Sequence, residues 1–180
     1  MTSYLVLKTK KKINVILGLD ISTSTIGFSF FSAAGELLVI GYLELTKIKT
    51  LYKKTIEFKK LINYYLDQFS IIDLYIEAPL LRFSKFSSAD TLNKLAFFNG
   101  AVSYLIFDLT KIEPKHINAT SARSRVVGRI PRKSIAKEKI FNYVKEREKG
   151  IYWPTNSKGN FIKQCYDMAD SYIIGAYYFA

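Results

Sequence analysis

The sequence predicts an α/β fold in which a mixed central sheet, three antiparallel strands followed by parallel ones, is flanked by helices. Three observations predict it. Short β-rich apolar runs separated by turn residues open the chain; from about residue 51 the apolar spacing becomes helical; thereafter strand-like and helix-like segments alternate. With 180 residues, 49% of them hydrophobic, one sizeable core is expected, and no linker, repeat or low-complexity tract divides residues 1–180, which read as a single domain.

Residues 14–20 (NVILGLD) form an apolar run ending at an acid, 26–32 (IGFSFFS) a second strand, and 36–44 (ELLVIGYLE) a third, with Ala33, Ala34 and Gly35 making the turn between the last two. Over 51–69, Phe58, Leu61, Ile62, Tyr65, Leu66 and Phe69 recur at helical spacing with Lys53, Lys54, Lys59 and Lys60 between them, an amphipathic helix. Residues 71–76 (IIDLYI) read as a buried strand that stops at Glu77, with Pro79 just beyond. Ser88 or Asp90 then caps a helix over 89–108 that is apolar almost all round, so it is covered on more than one side, part of it by a second subunit. A short strand over 112–117 follows, then a small helix capped near Asn118 or Thr120, a basic loop with Gly128 and Pro131, and a helix from Ser134 to about Lys149. Residues 150–162 read as an irregular loop, and a last helix runs from about Lys163 to the end.

The 27 basic residues exceed the acidic ones by 12, which favours a polyanionic partner, nucleic acid before an anionic membrane, since no segment pairs a basic with a strongly apolar face. Ten Lys and Arg against three Glu lie between Arg123 and Lys149, so over half the surplus is local. That concentration reads as a phosphate-binding surface; the blander reading is a solvated charge run. The longest uncharged apolar stretch, 95–107, falls short of the ~18 to 20 residues that span a bilayer. A lone cysteine, Cys165, excludes an internal disulfide, and the opening residues lack the order of a secretory signal; a cytoplasmic protein is expected, with a mitochondrial one the less favoured alternative because Arg is absent from the opening residues. Abundant Lys, Ile, Tyr, Phe and Asn fit an AT-rich genome, as in a phage, a virus or a low-GC bacterium. For a phage or viral protein the compartment would be the host cytoplasm.

Four carboxylates stand out. Asp20 and Glu77 end the first and fourth strands, and Asp167 and Asp170, three apart, share a face of the last helix. If the first and fourth strands are neighbours, all four can meet at one sheet edge. Crowded acids call for a cation, and oxygen ligands without His or Cys favour magnesium or manganese. Two such ions about 4 Å apart suit phosphodiester hydrolysis. Singly, each acid has a plainer use: Asp20 as a turn cap before Ser22 to Thr25, Glu77 in a surface turn, and the last pair as acids of a helix first turn.

The segments Gly18-Leu19-Asp20-Ile21-Ser22-Thr23-Ser24-Thr25-Ile26-Gly27, Tyr75-Ile76-Glu77 and Asp167-Met168-Ala169-Asp170-Ser171 resemble, in that order, the three acidic motifs of RuvC-family Holliday junction resolvases. The resemblance covers nearly the whole chain. It implies a ribonuclease H-like fold and a homodimer whose two sites nick opposing strands of a four-way DNA junction. It also implies two Mg²⁺ ions per site, with Mn²⁺ able to substitute, held by Asp20, Glu77, Asp167 and Asp170, and no small-molecule cofactor. Val126-Val127-Gly128 is similar to a family segment flanked by basic residues near the scissile phosphate. On that basis Lys137, with Lys133 as its rival, joins the catalytic set, and Arg123, Arg125, Arg129, Arg132 and Lys133 bind DNA. Leu80, Phe83 and Phe86 are candidates for the bulky side chain that wedges into the junction centre, or are core or dimer contacts. Ala78-Pro79 and the length of the 150–162 loop depart from the bacterial pattern, so its cleavage-sequence preference is not carried over.

His116, the only histidine, is expected to be structural, and Trp153 either stacks on a base or covers the core. The Lys8 to Lys12 run is a solvated arm or a phosphate contact. The rival readings are a nuclease of the same fold acting on other branched DNA or RNA–DNA hybrids, a non-enzymatic DNA binder, and an actin-like or sugar-kinase-like phosphotransferase. Retention of all four acids argues against the binder. The last needs a second Asp-Gly phosphate loop, which nothing after residue 100 supplies.

Overall fold

The computed structural model describes residues 12–79, 88–128 and 135–180. The chain opens as the expected antiparallel meander, β1 (Ile13–Ile21), β2 (Thr25–Ser32) and β3 (Leu37–Glu44). Gly35, at φ 89°, makes the tight turn between the last two, a left-handed conformation a side chain would strain. Two further strands, β4 (Phe69–Glu77) and β5 (Lys115–Ile117), add in parallel, giving the order β3-β2-β1-β4-β5. The mixed sheet of three antiparallel and then parallel strands matches the sequence-based expectation.

Helix α1 (Leu51–Leu66) starts at Thr50, whose side chain accepts from the Lys53 amide, and buries Phe58 and Ile62. It ends three residues before the expected Phe69. That ring kept helical phase because it packs on the same core, but it does so as the first residue of β4, paired with Ile13 and stacked on Tyr65 at 6.1 Å. Helix α2 (Ala89–Thr110) is capped by Ser88 and ends at Lys111 in the left-handed region. Strand β5 is shorter than the expected 112–117, because Pro114 has no amide hydrogen and pairing with β4 begins only at Lys115. Asn118, not Thr120, caps α3 (Ala119–Val127). Helix α4 (Ile135–Arg147) follows, the expected Ser134 cap lying outside the described residues. The 150–162 segment carries one bridge, Thr155 to Phe161, and α5 (Gln164–Ala176) stops short of the chain end.

Alternation along the strands sorts the chain into two cores. Val15, Leu17, Leu19 and Ile21 of β1 pack with Leu74 and Ile76 beneath Phe58, Ile62, Phe98, Val102 and Ile106 of α1 and α2. Ile16 of β1 and Tyr75 of β4 face the other way, toward Ala122, Ile140, Phe141, Val144 and Met168 of α3, α4 and α5. Each such apolar side chain contributes roughly 1.5–3 kcal/mol when fully buried. Trp153 covers this second core, edge-on to Phe141 at 5.0 Å, and Cys165 is a buried helix residue. Among the described residues no helix is long and apolar enough to cross a membrane.

Candidate active site

The period of two that sends Ile16 toward α5 sends Gly18 and Asp20 the same way, and in β4 it carries Tyr75 and Glu77 to that face. Strands β1 and β4 pair Gly18 with Tyr75 and Leu19 with Ile76, so the next step of the register sets Asp20 beside Glu77. The two carboxyl groups are near enough that the charge of Glu77 acts on Asp20. Across β1 the partner of Asp20 is Gly27.

Glycines bring the last helix down onto this edge. A Cβ on Gly18 would stand 2.4 Å from the Gly175 amide nitrogen, and one on Gly27 only 2.1 Å from the Asp167 carbonyl oxygen, so α5 touches the sheet backbone where both strands lack side chains. Ser29 reinforces the contact by donating to the Ser171 carbonyl oxygen at 2.8 Å. Asp167 and Asp170, both buried, are thereby carried onto the face that holds Asp20 and Glu77.

The electrostatics follow from that crowding. Burial, and then the charges of Glu77, Asp170 and Asp167, push the Asp20 carboxyl well above the usual carboxylate range. Glu77 is raised by burial and by Asp170, against the pull of Arg123, and Asp167 is raised by burial, partly offset by Lys137. Asp170 has its own counter-charge: Arg123 of α3 donates to its Oδ1 through Nη2 at 2.7 Å and Nε at 3.2 Å. Lys137 Nζ stands 3.9 Å from Asp170 Oδ2 with its side chain 56% exposed, at the rim rather than inside. Among the described residues, no three His, Cys, Asp or Glu side chains are gathered tightly enough to enclose one ion as they lie. The donor set still fits a hard divalent cation: four carboxylates, without sulfur or imidazole, three of them held above their ordinary proton affinity.

The turn after Asp20 has its own support. Ser22 caps it, accepting from the Thr25 amide at 3.0 Å and donating to the Thr25 carbonyl oxygen at 2.8 Å, so turn capping does not account for Asp20. Lys54, buried on α1, donates to the Thr23 carbonyl oxygen, and Thr25, buried at the start of β2, acts to lower the Asp167 carboxyl against its burial. Sequence reading passed over both residues, since a lysine within a basic helix and a threonine in a serine-threonine turn carry no signal of their own. It also passed over Asn99, whose signal was legible: a lone amide at a buried position of an apolar helix, donating to the Glu77 carbonyl oxygen at 3.1 Å.

Of the expected DNA contacts, Arg123 is inside the acidic cluster. Arg125 is held elsewhere, its Nε donating to the Ala180 carbonyl oxygen at 2.6 Å and its guanidinium lying over the Tyr177 ring. Phe83, Phe86, Arg129, Arg132 and Lys133 lie outside the described residues, as do Leu80 and most of the Lys8 to Lys12 run.

No family model matches the sequence, and no curated protein matches it either. Among solved structures the chain is similar to RuvC of Thermus thermophilus in complex with a Holliday junction substrate, at 14% identity and a TM-score of 0.63, over 91% of this chain and 90% of that one. A second Thermus thermophilus RuvC structure gives 14% identity and 0.59, over 91% and 92%. The yeast mitochondrial Holliday junction resolvase gives 15% identity and 0.59, over 93% of this chain and 78% of that one. The mixed sheet, its strand order and its flanking helices are thus the ribonuclease H-like fold of the RuvC-type Holliday junction resolvases.

Proposed function

We propose that residues 1–180 form one nuclease domain, a structure-selective endodeoxyribonuclease that resolves four-way DNA junctions as a homodimer nicking opposing strands. The observation that carries the reading is the convergence of four carboxylates from β1, β4 and α5 on one sheet edge, with Arg123 among them and Lys137 at the rim. Asp20, Glu77, Asp167 and Asp170 are the residues that would hold divalent ions, two Mg²⁺ or Mn²⁺, which when bound supply charge to grip a phosphodiester and to acidify a water. Arg123 pairs with Asp170 and fixes its orientation within the pocket. Lys137, exposed at the rim, offers its ammonium to the phosphate that approaches the carboxylates. Branched DNA as substrate is supported by the fold shared with a RuvC whose structure contains a Holliday junction, and by the basic excess between Arg123 and Lys149.

The homodimer is supported by the outer face of α1 and α2, where Tyr52, Ile56, Phe97 and Tyr104 are each more than half exposed. Tyr52 and Phe97 meet edge-on there, beside an apolar groove that includes Ala101 and Leu105. The test is to incubate the purified protein with labelled four-way junction, duplex, fork and RNA–DNA hybrid, with magnesium and with EDTA. Paired nicks in opposing arms of the junction, only with metal, are expected. Preferential cutting of the hybrid would move the substrate assignment to that class, and ATP hydrolysis without any cutting would overturn the nuclease reading.

A further inference from the structure

We propose that Asn99, backed by His116 and Ser103, is a positioning residue that fixes the main chain of Glu77 and so aims its carboxylate at Asp20. The inference rests on the reading of Glu77 as an ion ligand. Glu77 is the last residue of β4 and pairs with Ile117 of β5; its neighbour Ala78 donates to the Ile117 carbonyl oxygen at 2.9 Å, and there the ladder ends. Asn99, 3% exposed on the inner face of α2, reaches across and donates through Nδ2 to the Glu77 carbonyl oxygen at 3.1 Å.

A carbonyl oxygen can only accept, so the amide orientation is determined: the NH₂ faces Glu77 and Oδ1 faces the other way. There Oδ1 meets His116 Nε2 at 3.2 Å and Ser103 Oγ at 3.4 Å, while Ser103 Oγ and His116 Nε2 stand 3.2 Å apart. In the tautomer with the hydrogen on Nε2, His116 donates to Oδ1. The result is a closed polar triangle on α2 and β5 that keeps the Asn99 amide from rotating. It stands at the end of the strand that carries Glu77, and it gives the chain's only histidine a partner one step from the site.

The test compares unsubstituted protein with Asn99→Ala and Asn99→Asp, the second keeping size but losing the donor. In metal-free protein, hydrogen exchange at the Ala78 amide is expected to quicken at least about tenfold in both variants, relative to amides in β1 and β2. In a Mn²⁺ titration, the half-saturating concentration is expected to rise about tenfold, as for loss of a partner that orients a ligand, while the cutting rate at saturating metal and the affinity for junction DNA change little. Ser103→Ala, which leaves the Asn99 donor in place, is expected to shift both by far less. Unchanged Ala78 exchange with unchanged Mn²⁺ affinity in both variants would overturn the proposal. Failure of the unsubstituted protein to bind Mn²⁺ would instead overturn the reading it rests on, whatever the exchange shows.

Discussion

Gly27→Ala probes how the site is built. The added methyl would stand 2.1 Å from the Asp167 carbonyl oxygen and 2.6 Å from its carbon, more than an ångström inside ordinary contact, and both are backbone atoms that cannot swing aside. Either β2 or the start of α5 must retreat by about an ångström, at roughly 1–3 kcal/mol of overpacking strain. For a chain of this size that lowers the melting temperature by about 2–4 °C per kcal/mol. The functional loss should be out of proportion to the instability. Retreat of α5 carries Asp167 and Asp170 away from Asp20 and Glu77, and a displacement of that order at reacting groups reduces rates about a hundredfold. The assay pairs thermal melting with single-turnover cutting of a four-way junction well below the melting temperature. Gly100→Ala is the control, since a methyl there meets nothing within 4 Å and a helix-interior alanine should stabilise by up to about 1 kcal/mol. Gly27→Ala that melts and cuts like the unsubstituted protein would refute the claim that close helix-to-sheet contact places the acids.

Other perturbations separate the carboxylates by sign. Burial and mutual repulsion raise Asp20, so the folded chain holds its proton more tightly than the unfolded one, and stability falls as pH rises through the ordinary carboxylate range. Asp20→Asn should therefore raise the melting temperature of metal-free protein at pH 7.5 by a few degrees, about 2–4 °C per kcal/mol relieved. The gain should fade toward pH 4 while cutting is abolished; a lower melting temperature at pH 7.5 would contradict the repulsion. Asp170→Asn should do the opposite, because it strands the largely buried Arg123, and a loss of about 3 kcal/mol is expected by denaturant titration. Lys137→Ala should leave melting unchanged, its side chain being mostly exposed, and slow junction cutting by about a hundredfold.

Much of this was legible in the sequence because the signals were periodic. Alternation in β1 and β2 and helical spacing after residue 51 gave the element order, and acids at strand ends marked the edge where Asp20 and Glu77 now sit side by side. The errors fell where one residue serves two patterns: Phe69 held helical phase while belonging to β4, and Ile112 looked like strand until Pro114 prevented pairing. Periodicity also could not reveal what depends on three-dimensional approach. Gly18 and Gly27 were seen as parts of a motif, yet their use, admitting the backbone of α5, follows only from the packed helix. Arg123 and Arg125 looked equivalent in a basic run, but two residues apart on a helix they face different ways, one into the carboxylates and one toward Ala180. Lys54 acts on a backbone carbonyl, a contact that leaves no trace in spacing, whereas Asn99 was marked by its polarity within an apolar helix.

The most direct measurement is a Mn²⁺ titration of metal-free protein, followed by electron paramagnetic resonance, for the unsubstituted chain, Asp20→Asn and Glu77→Gln. Saturable binding of about two ions per chain, weakened at least tenfold by either substitution in variants that still melt cooperatively, is the predicted result. Absence of saturable binding, or affinities equal in all three proteins, would contradict the assignment of this carboxylate edge as a divalent-cation site.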